Sequence, residues 1–193
     1  RYLGIKVVTS SGFDVEISPD VPLSDPSTPP EHREYVRRMQ LVGDYAAELG
    51  LTVILKPHGG NTGTAARLLK TLRDIDRPTV KAYYDPGNVH FYEGIDPAED
   101  IRLLKDPMPA LCAKDHRGGV REIDFPVPGE GDVDFASIFS HLLETGFDGM
   151  VSVERVDVTD RGPIDPDVLD ERMARARKNL SELAKAAGFS AIE

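Results

Sequence analysis

The feature that most constrains this chain is an alternation. A short β-branched run is followed by a longer stretch of helical periodicity, five times over. The strand-like runs are LGIKVVT (3–9), LTVILK (51–56), TVKAYYD (79–85), ALCAKD (110–115) and GMVSVE (149–154). Helical stretches fall at 30–49, about 63–75, 97–105, 134–145 and 165–187. Strands that take turns with helices predict an α/β fold with a mostly parallel sheet, because parallel neighbours need a long crossover. The boundaries carry their own signals: Pro29-Pro30-Glu31 opens the first helix and Gly50 closes it, while Asp134 caps the helix that Gly146 stops.

Five units of this kind fit the second part of a (βα)8 barrel or a five-stranded doubly wound sheet. A dinucleotide-binding sheet would carry G-x-G-x-x-G after a strand. Here only HGGNTGTA comes near, with Gly59, Gly60 and Gly63 at the wrong spacing. Residues 10–29 are rich in Pro, Ser and Asp and too long for an idle connector. They are expected either as a lid or as an ordered surface excursion. Asp85-Pro86-Gly87-Asn88 is expected as a turn immediately after its strand.

Every strand after the first ends on polar residues: Lys56-Pro57-His58, Asp85, Lys114-Asp115-His116-Arg117 and Glu154-Arg155. A parallel sheet gathers the carboxyl ends of its strands on one face, where ligands bind in barrels and open sheets alike. The two-residue period of a strand puts Ile54 with Lys56, Tyr83 with Asp85, Cys112 with Lys114, and Ser152 with Glu154. Lys56, Asp85, Cys112, Lys114 and Glu154 are therefore expected to converge on one mouth. Polar residues also end strands simply because the chain returns to water there; four strands doing so together argues for a site.

Bulk properties narrow the function. A formal net charge of −10 leaves no basic surplus for nucleic-acid phosphates or an anionic membrane. One cysteine, Cys112, allows no intrachain disulfide and suits the cytoplasm. No apolar run is long enough to span a membrane. The chain enters directly on a strand without an initiator Met and is expected to be the C-terminal part of something longer.

YYDPGNVHFYEG, LCAKD and above all PGEGDVDFASIFSHLLETGFDGMVSVE (128–154) resemble the sugar phosphate isomerase/epimerase family, the xylose isomerase-like TIM barrels. The resemblance runs from LGIKVVT onward and makes that strand the fourth of eight. The whole chain would then be one barrel domain lacking its first three strands, and about 80 more residues would restore a barrel of typical size. The family implies a divalent metal (Mn, Mg, Co or Zn) held by Glu, Asp, His and Glu at the ends of strands five to eight. By motif, Asp85 takes the Asp position and Glu154 the final Glu. The first Glu position holds Lys56, and the His position holds Cys112.

Those departures change the chemistry. An ammonium has no lone pair for a metal, so the metal is either absent or rescued by His58 together with Asp85 and Glu154. Lys56 is expected to supply positive charge in the metal's place; a structural salt bridge, or a base or Schiff-base nucleophile freed by desolvation, are its other readings. His58, Lys114, His116 and Arg117 are candidate substrate contacts. His32 is expected to be solvated near a helix start and His141 to be structural. A DNA-repair endonuclease of this superfamily would need histidines where Asn88 and Cys112 stand.

The expected protein is a sugar isomerase- or epimerase-like enzyme, or a keto-sugar lyase. It would abstract a proton next to a carbonyl, with Glu154 as base or metal ligand, Asp85 positioning substrate or metal, and Lys56 polarising oxygen. The alternative is a carbohydrate-binding barrel that has lost its metal and its catalysis. A small sugar-like molecule is the expected partner, and an oligomer is compatible with the sequence.

Overall fold

A computed structural model describes residues 4–158 and 162–190. Five parallel strands pair strictly in chain order: β1 (Val7–Ser11), β2 (Thr52–Lys56), β3 (Val80–Tyr84), β4 (Ala110–Ala113) and β5 (Met150–Val153). A doubly wound sheet reverses its order at a switch point. This one does not, and the progression is that of a (βα) barrel wall. The helices are α1 (Pro30–Leu49), α2 (Ala65–Ile75), α3 (Pro86–Glu93), α4 (Pro97–Asp100), α5 (Phe135–Glu144) and α6 (Pro166–Ala187).

The two strand faces are used differently. Val53, Leu55 and Val80 pack outward against Val36, Met39 and Leu68 of α1 and α2. Leu111 and Ala113 do the same against Ile138, Phe139 and Leu142 of α5. Ile54, Tyr83, Ala110 and Cys112 form a separate apolar layer on the opposite face. Burying the outer face fixes the register, since a one-residue slip would exchange the two layers.

Three expectations about the elements need correction, and so does a fourth, on His32. The first strand begins at Val7 and runs through Ser11, pairing Val7 with Thr52 and Ser11 with Lys56, rather than covering 3–9. Gly4 sits at φ 66, which breaks the extended run, and Leu3 lies outside the described residues. Asp-Pro-Gly-Asn is not a plain turn but the start of α3: the Asp85 side chain accepts from Asn88 N at 2.9 Å, with Pro86 in the first turn. The stretch 97–105 holds only the short α4 and a 3-10 turn, Ile101–Leu103.

Ser10 and Ser11 belong to β1, and residues 12–29 form an ordered excursion pinned at Asn61. Asn61 Oδ1 accepts from Phe13 N at 2.7 Å and Asn61 N donates to Phe13 O at 3.1 Å. Gly60 makes the approach possible. Its φ is +54, and a Cβ there would lie 2.3 Å from Phe13 O. Beneath this contact His32 is fully buried, not solvated: it bonds Asp74 through Nε2 at 2.8 Å and Asn61 through Nδ1 at 3.1 Å. Lys70 completes the group by pairing with Asp74. His141 is structural, its Nε2 donating to Leu104 O at 2.9 Å. Among the described residues, no helix is long and apolar enough to cross a membrane.

Candidate functional site

Four strand ends deliver four charged side chains to one place. Lys56 is the last residue of β2, Asp85 follows β3, Lys114 follows the last residue of β4, and Glu154 follows β5. Alternation carries each of them onto the inner face above Ile54, Tyr83, Cys112 and Ser152, and the floor is stitched by a 2.5 Å hydrogen bond between Tyr83 Oη and Ser152 Oγ.

The four charges close into a ring. Lys114 Nζ lies 2.6 Å from Glu154 Oε1 and 3.2 Å from Asp85 Oδ2, and donates to Asn88 Oδ1 at 2.8 Å. Lys56 Nζ pairs with Glu154 Oε2 and lies 3.4 Å from Asp85 Oδ2. Asp85 Oδ1 is engaged with Asn88 N, whereas Asp85 Oδ2 is buried between the two ammonium groups without a directed hydrogen bond. The Lys114 and Lys56 side chains are only 4% and 11% exposed, and Glu154 is the most open member at 38%.

This geometry sets the protonation states. Burial works to strip the Lys56 proton, but the Asp85 charge and the Glu154 hydrogen bond outweigh it, holding the group above the ordinary lysine range. That balance favours the ammonium form of Lys56 over the free amine that a base or Schiff-base nucleophile needs. Burial would likewise raise Glu154, yet hydrogen bonds from Lys114 and Lys56 prevail and bring its carboxyl down to about 2. The Cys112 thiol, 3.4 Å from Glu154 Oε2, is pushed far up by burial and then by the Asp85 and Glu154 charges, so it keeps its proton.

The other candidates lie elsewhere. His58 is exposed and meets Tyr92 Oη through Nε2 at 3.2 Å; it is not among the grouped ligand atoms of Asp85, Cys112 and Glu154. His116 is fully buried, its Nε2 donating to Glu122 O at 2.6 Å and its Nδ1 facing His90 Nδ1 at 2.8 Å. Arg117 spends its guanidinium on Glu130 O at 2.5 Å and Asp124 at 3.5 Å, tying down the 117–132 loop. Asp115 organises the same loop by accepting from the backbone N–H groups of His116, Gly129, Gly131 and Val133.

Two contributors escape sequence reasoning. Asn88 holds Lys114 and also donates to Pro57 O at 2.7 Å, linking three strand ends. An Asp-Pro start signal for α3 places it, although nothing local announces its partners. Arg155, next in sequence to Glu154, stacks 3.8 Å from the Phe125 ring centroid and pairs with Asp157.

Asp85, Cys112 and Glu154 bring potential metal-ligand atoms within 4.8 Å of one another. The residues as they stand do not fit a divalent cation. Both carboxylates are already neutralised by ammonium groups, and the Cys112 sulfur faces Glu154 Oε2 at 3.4 Å as a donor rather than standing open to a cation.

A family model described as a xylose isomerase-like TIM barrel matches residues 1–186. The chain is 26% identical over 167 residues to an inosose dehydratase of Clostridium botulinum (strain Alaska E43 / Type E3), a match covering 77% of this chain and 56% of that protein. It spans about half the length of the curated relatives it matches. A solved xylose isomerase domain protein from Planctomyces limnophilus superposes with a TM-score of 0.72 at 22% identity, covering 96% of this chain and 60% of that one. An IolI protein with a bound zinc atom gives 0.70 at 20% identity, covering 97% and 66%. By fold and by a sequence match over almost its full length, the chain belongs to the xylose isomerase-like TIM-barrel family.

Proposed function

We propose that the chain acts on a keto-sugar or keto-polyol and abstracts the proton next to its carbonyl. The observation that carries this reading is Glu154, a half-open carboxylate held by two ammonium groups at the mouth of the barrel wall. At rest it is a poor base, because Lys56 and Lys114 hold its carboxyl near 2. A substrate carbonyl oxygen that takes over these N–H donors releases Glu154 and raises its basicity where the α-proton lies. The same ammonium groups then face the enolate oxygen as its charge develops. Asp85, fully buried between Lys56 and Lys114, holds both ammonium groups in position for the substrate oxygen.

Reprotonation at the neighbouring carbon gives isomerisation, and on the opposite face of the same carbon it gives epimerisation. If the β-carbon carries a hydroxyl, the electron pair of the broken C–H bond closes a C=C as the C–O bond breaks. The hydroxide leaves with a proton as water. The similarity to an inosose dehydratase favours this elimination.

The test is deuterium wash-in from D2O, followed by NMR across keto-inositols, 3-keto-sugars and ketoses. It detects α-proton abstraction whatever the final product. Exchange is expected with at least one substrate, and Glu154→Gln is expected to slow it by about 10²–10⁴-fold, the range for a general base. A non-catalytic sugar binder is the second reading, favoured by the full neutralisation of both carboxylates. Tight binding with neither exchange nor conversion would select it.

A further inference from the structure

We infer that this barrel has exchanged its divalent cation for a lysine: Lys56, together with Lys114, occupies the cationic position between Asp85 and Glu154, and the site takes no metal. The inference concerns the site assigned above and rests on its being where substrate binds.

The first ground is charge. Two carboxylates facing two ammonium groups are already balanced, so a dication would bring a net charge of +2 into a largely buried ring. The second is occupancy. Three of the four carboxylate oxygens hold directed donors, from Asn88 N, Lys114 and Lys56. The fourth, Asp85 Oδ2, lies within 3.4 Å of both ammonium nitrogens. A cation at Asp85 would have to displace both lysines. Lys114 cannot swing away cheaply: its side chain is 4% exposed, its Nζ is anchored on Asn88 Oδ1 at 2.8 Å, and its Cγ packs against Gly87, where a Cβ would fall 2.7 Å from it. The third is donor chemistry. The remaining grouped ligand atom, Cys112 Sγ, is buried and already faces Glu154 Oε2 at 3.4 Å as a donor.

What the pair gains is a different specificity. Two ammonium groups offer fixed N–H donors to sugar oxygens and can release their hold on Glu154 when those oxygens arrive.

The experiment titrates Mn²⁺, Co²⁺ and Zn²⁺ separately into chelator-treated, untagged protein, reading heat and bound metal. Wild type is expected to show no one-to-one site tighter than about 1 mM, or only binding that Asp85→Asn leaves untouched and that therefore lies elsewhere. Lys56→Glu is expected to gain one equivalent of metal at least tenfold more tightly, with a Co²⁺ absorption spectrum lost on adding Asp85→Asn. Lys56→Ala, checked by circular dichroism, serves if Lys56→Glu does not fold, and should gain weaker binding at the same site. One equivalent bound by wild type and lost in Asp85→Asn would overturn the inference. So would folded lysine variants that gain no metal, because lysine would not then be what excludes it. Turnover is not read here, so failure of the enzymatic reading and failure of metal exclusion are separate results.

Discussion

Glu154 and Lys56 show how strongly one neighbour can set a residue's chemistry. With Lys56 replaced by Met, Glu154 loses one of its two donors, and its carboxyl should climb from about 2 toward the ordinary glutamate value of roughly 4.3. A carbon-detected NMR titration of the Glu154 carboxyl in both proteins measures this, and an unchanged value would show that the Lys56 contact does not form in solution. His32 makes a second case. Burial, first of all, lowers its pKa despite the nearby Asp74. Geometry agrees, since the ring must keep a lone pair on Nδ1 for the Asn61 amide, whose oxygen is committed to Phe13 N. The folded state thus binds this proton less tightly than the unfolded chain, whose value is about 6.5. Its contribution to stability is complete above that pH and is lost as pH falls through the folded value. Urea midpoints at pH 8 and pH 5.5 should show this loss in wild type and a shallower one in His32→Gln.

The element most sensitive to small changes is α3. It starts directly against the site, with Asp85 serving both as its N-cap and as a member of the charge ring. Gly87 has no room for a methyl group: a Cβ would lie 2.5 Å from Lys114 O and 2.7 Å from Lys114 Cγ. Gly87→Ala should therefore shift the helix start or Lys114, costing about 1–3 kcal/mol, the range for overpacking. Chemical denaturation measures the cost, and the amide resonances of Asn88 and Lys114 should move with it. A change confined to residue 87 would mean that the junction yields elsewhere. The Asp-Pro-Gly-Asn sequence is compatible with either a turn or a helix start. Continued helix wins because Val89 is buried in the main core and Gly94 closes the element at φ 66.

At the scale of the molecule, the described chain exposes apolar groups on both flanks of its sheet. Met150 and Met173 are exposed beside a groove of about 630 Å³ between β5 and α6, lined by Phe139, Val151, Val153 and Leu180. Leu41 and Tyr45 are exposed on α1. Surface of this kind binds anilinonaphthalene sulfonate. The 193-residue chain on its own should enhance the dye's fluorescence, and Met150→Glu with Met173→Glu should reduce it. No enhancement in the unmodified chain would mean that these groups are covered in solution.

The strand–helix alternation and the charged residue at each strand end are local facts, governed by side-chain period and backbone propensity. They suffice for a mostly parallel α/β sheet and for the convergence of Lys56, Asp85, Lys114 and Glu154 on one mouth, whereas the strand order β1-β2-β3-β4-β5 is what makes the sheet a barrel wall. The partnerships are another matter. Nothing near Lys114 in sequence announces Asn88, nothing near His32 announces Asn61 or Asp74, and nothing near His116 announces His90. Those contacts depend on which elements pack together, a long-range outcome of burying the outer strand faces. Local chemistry placed the charges on one rim; only tertiary packing decided that the lysines neutralise both carboxylates, because ion pairing acts through distance in space and not along the chain.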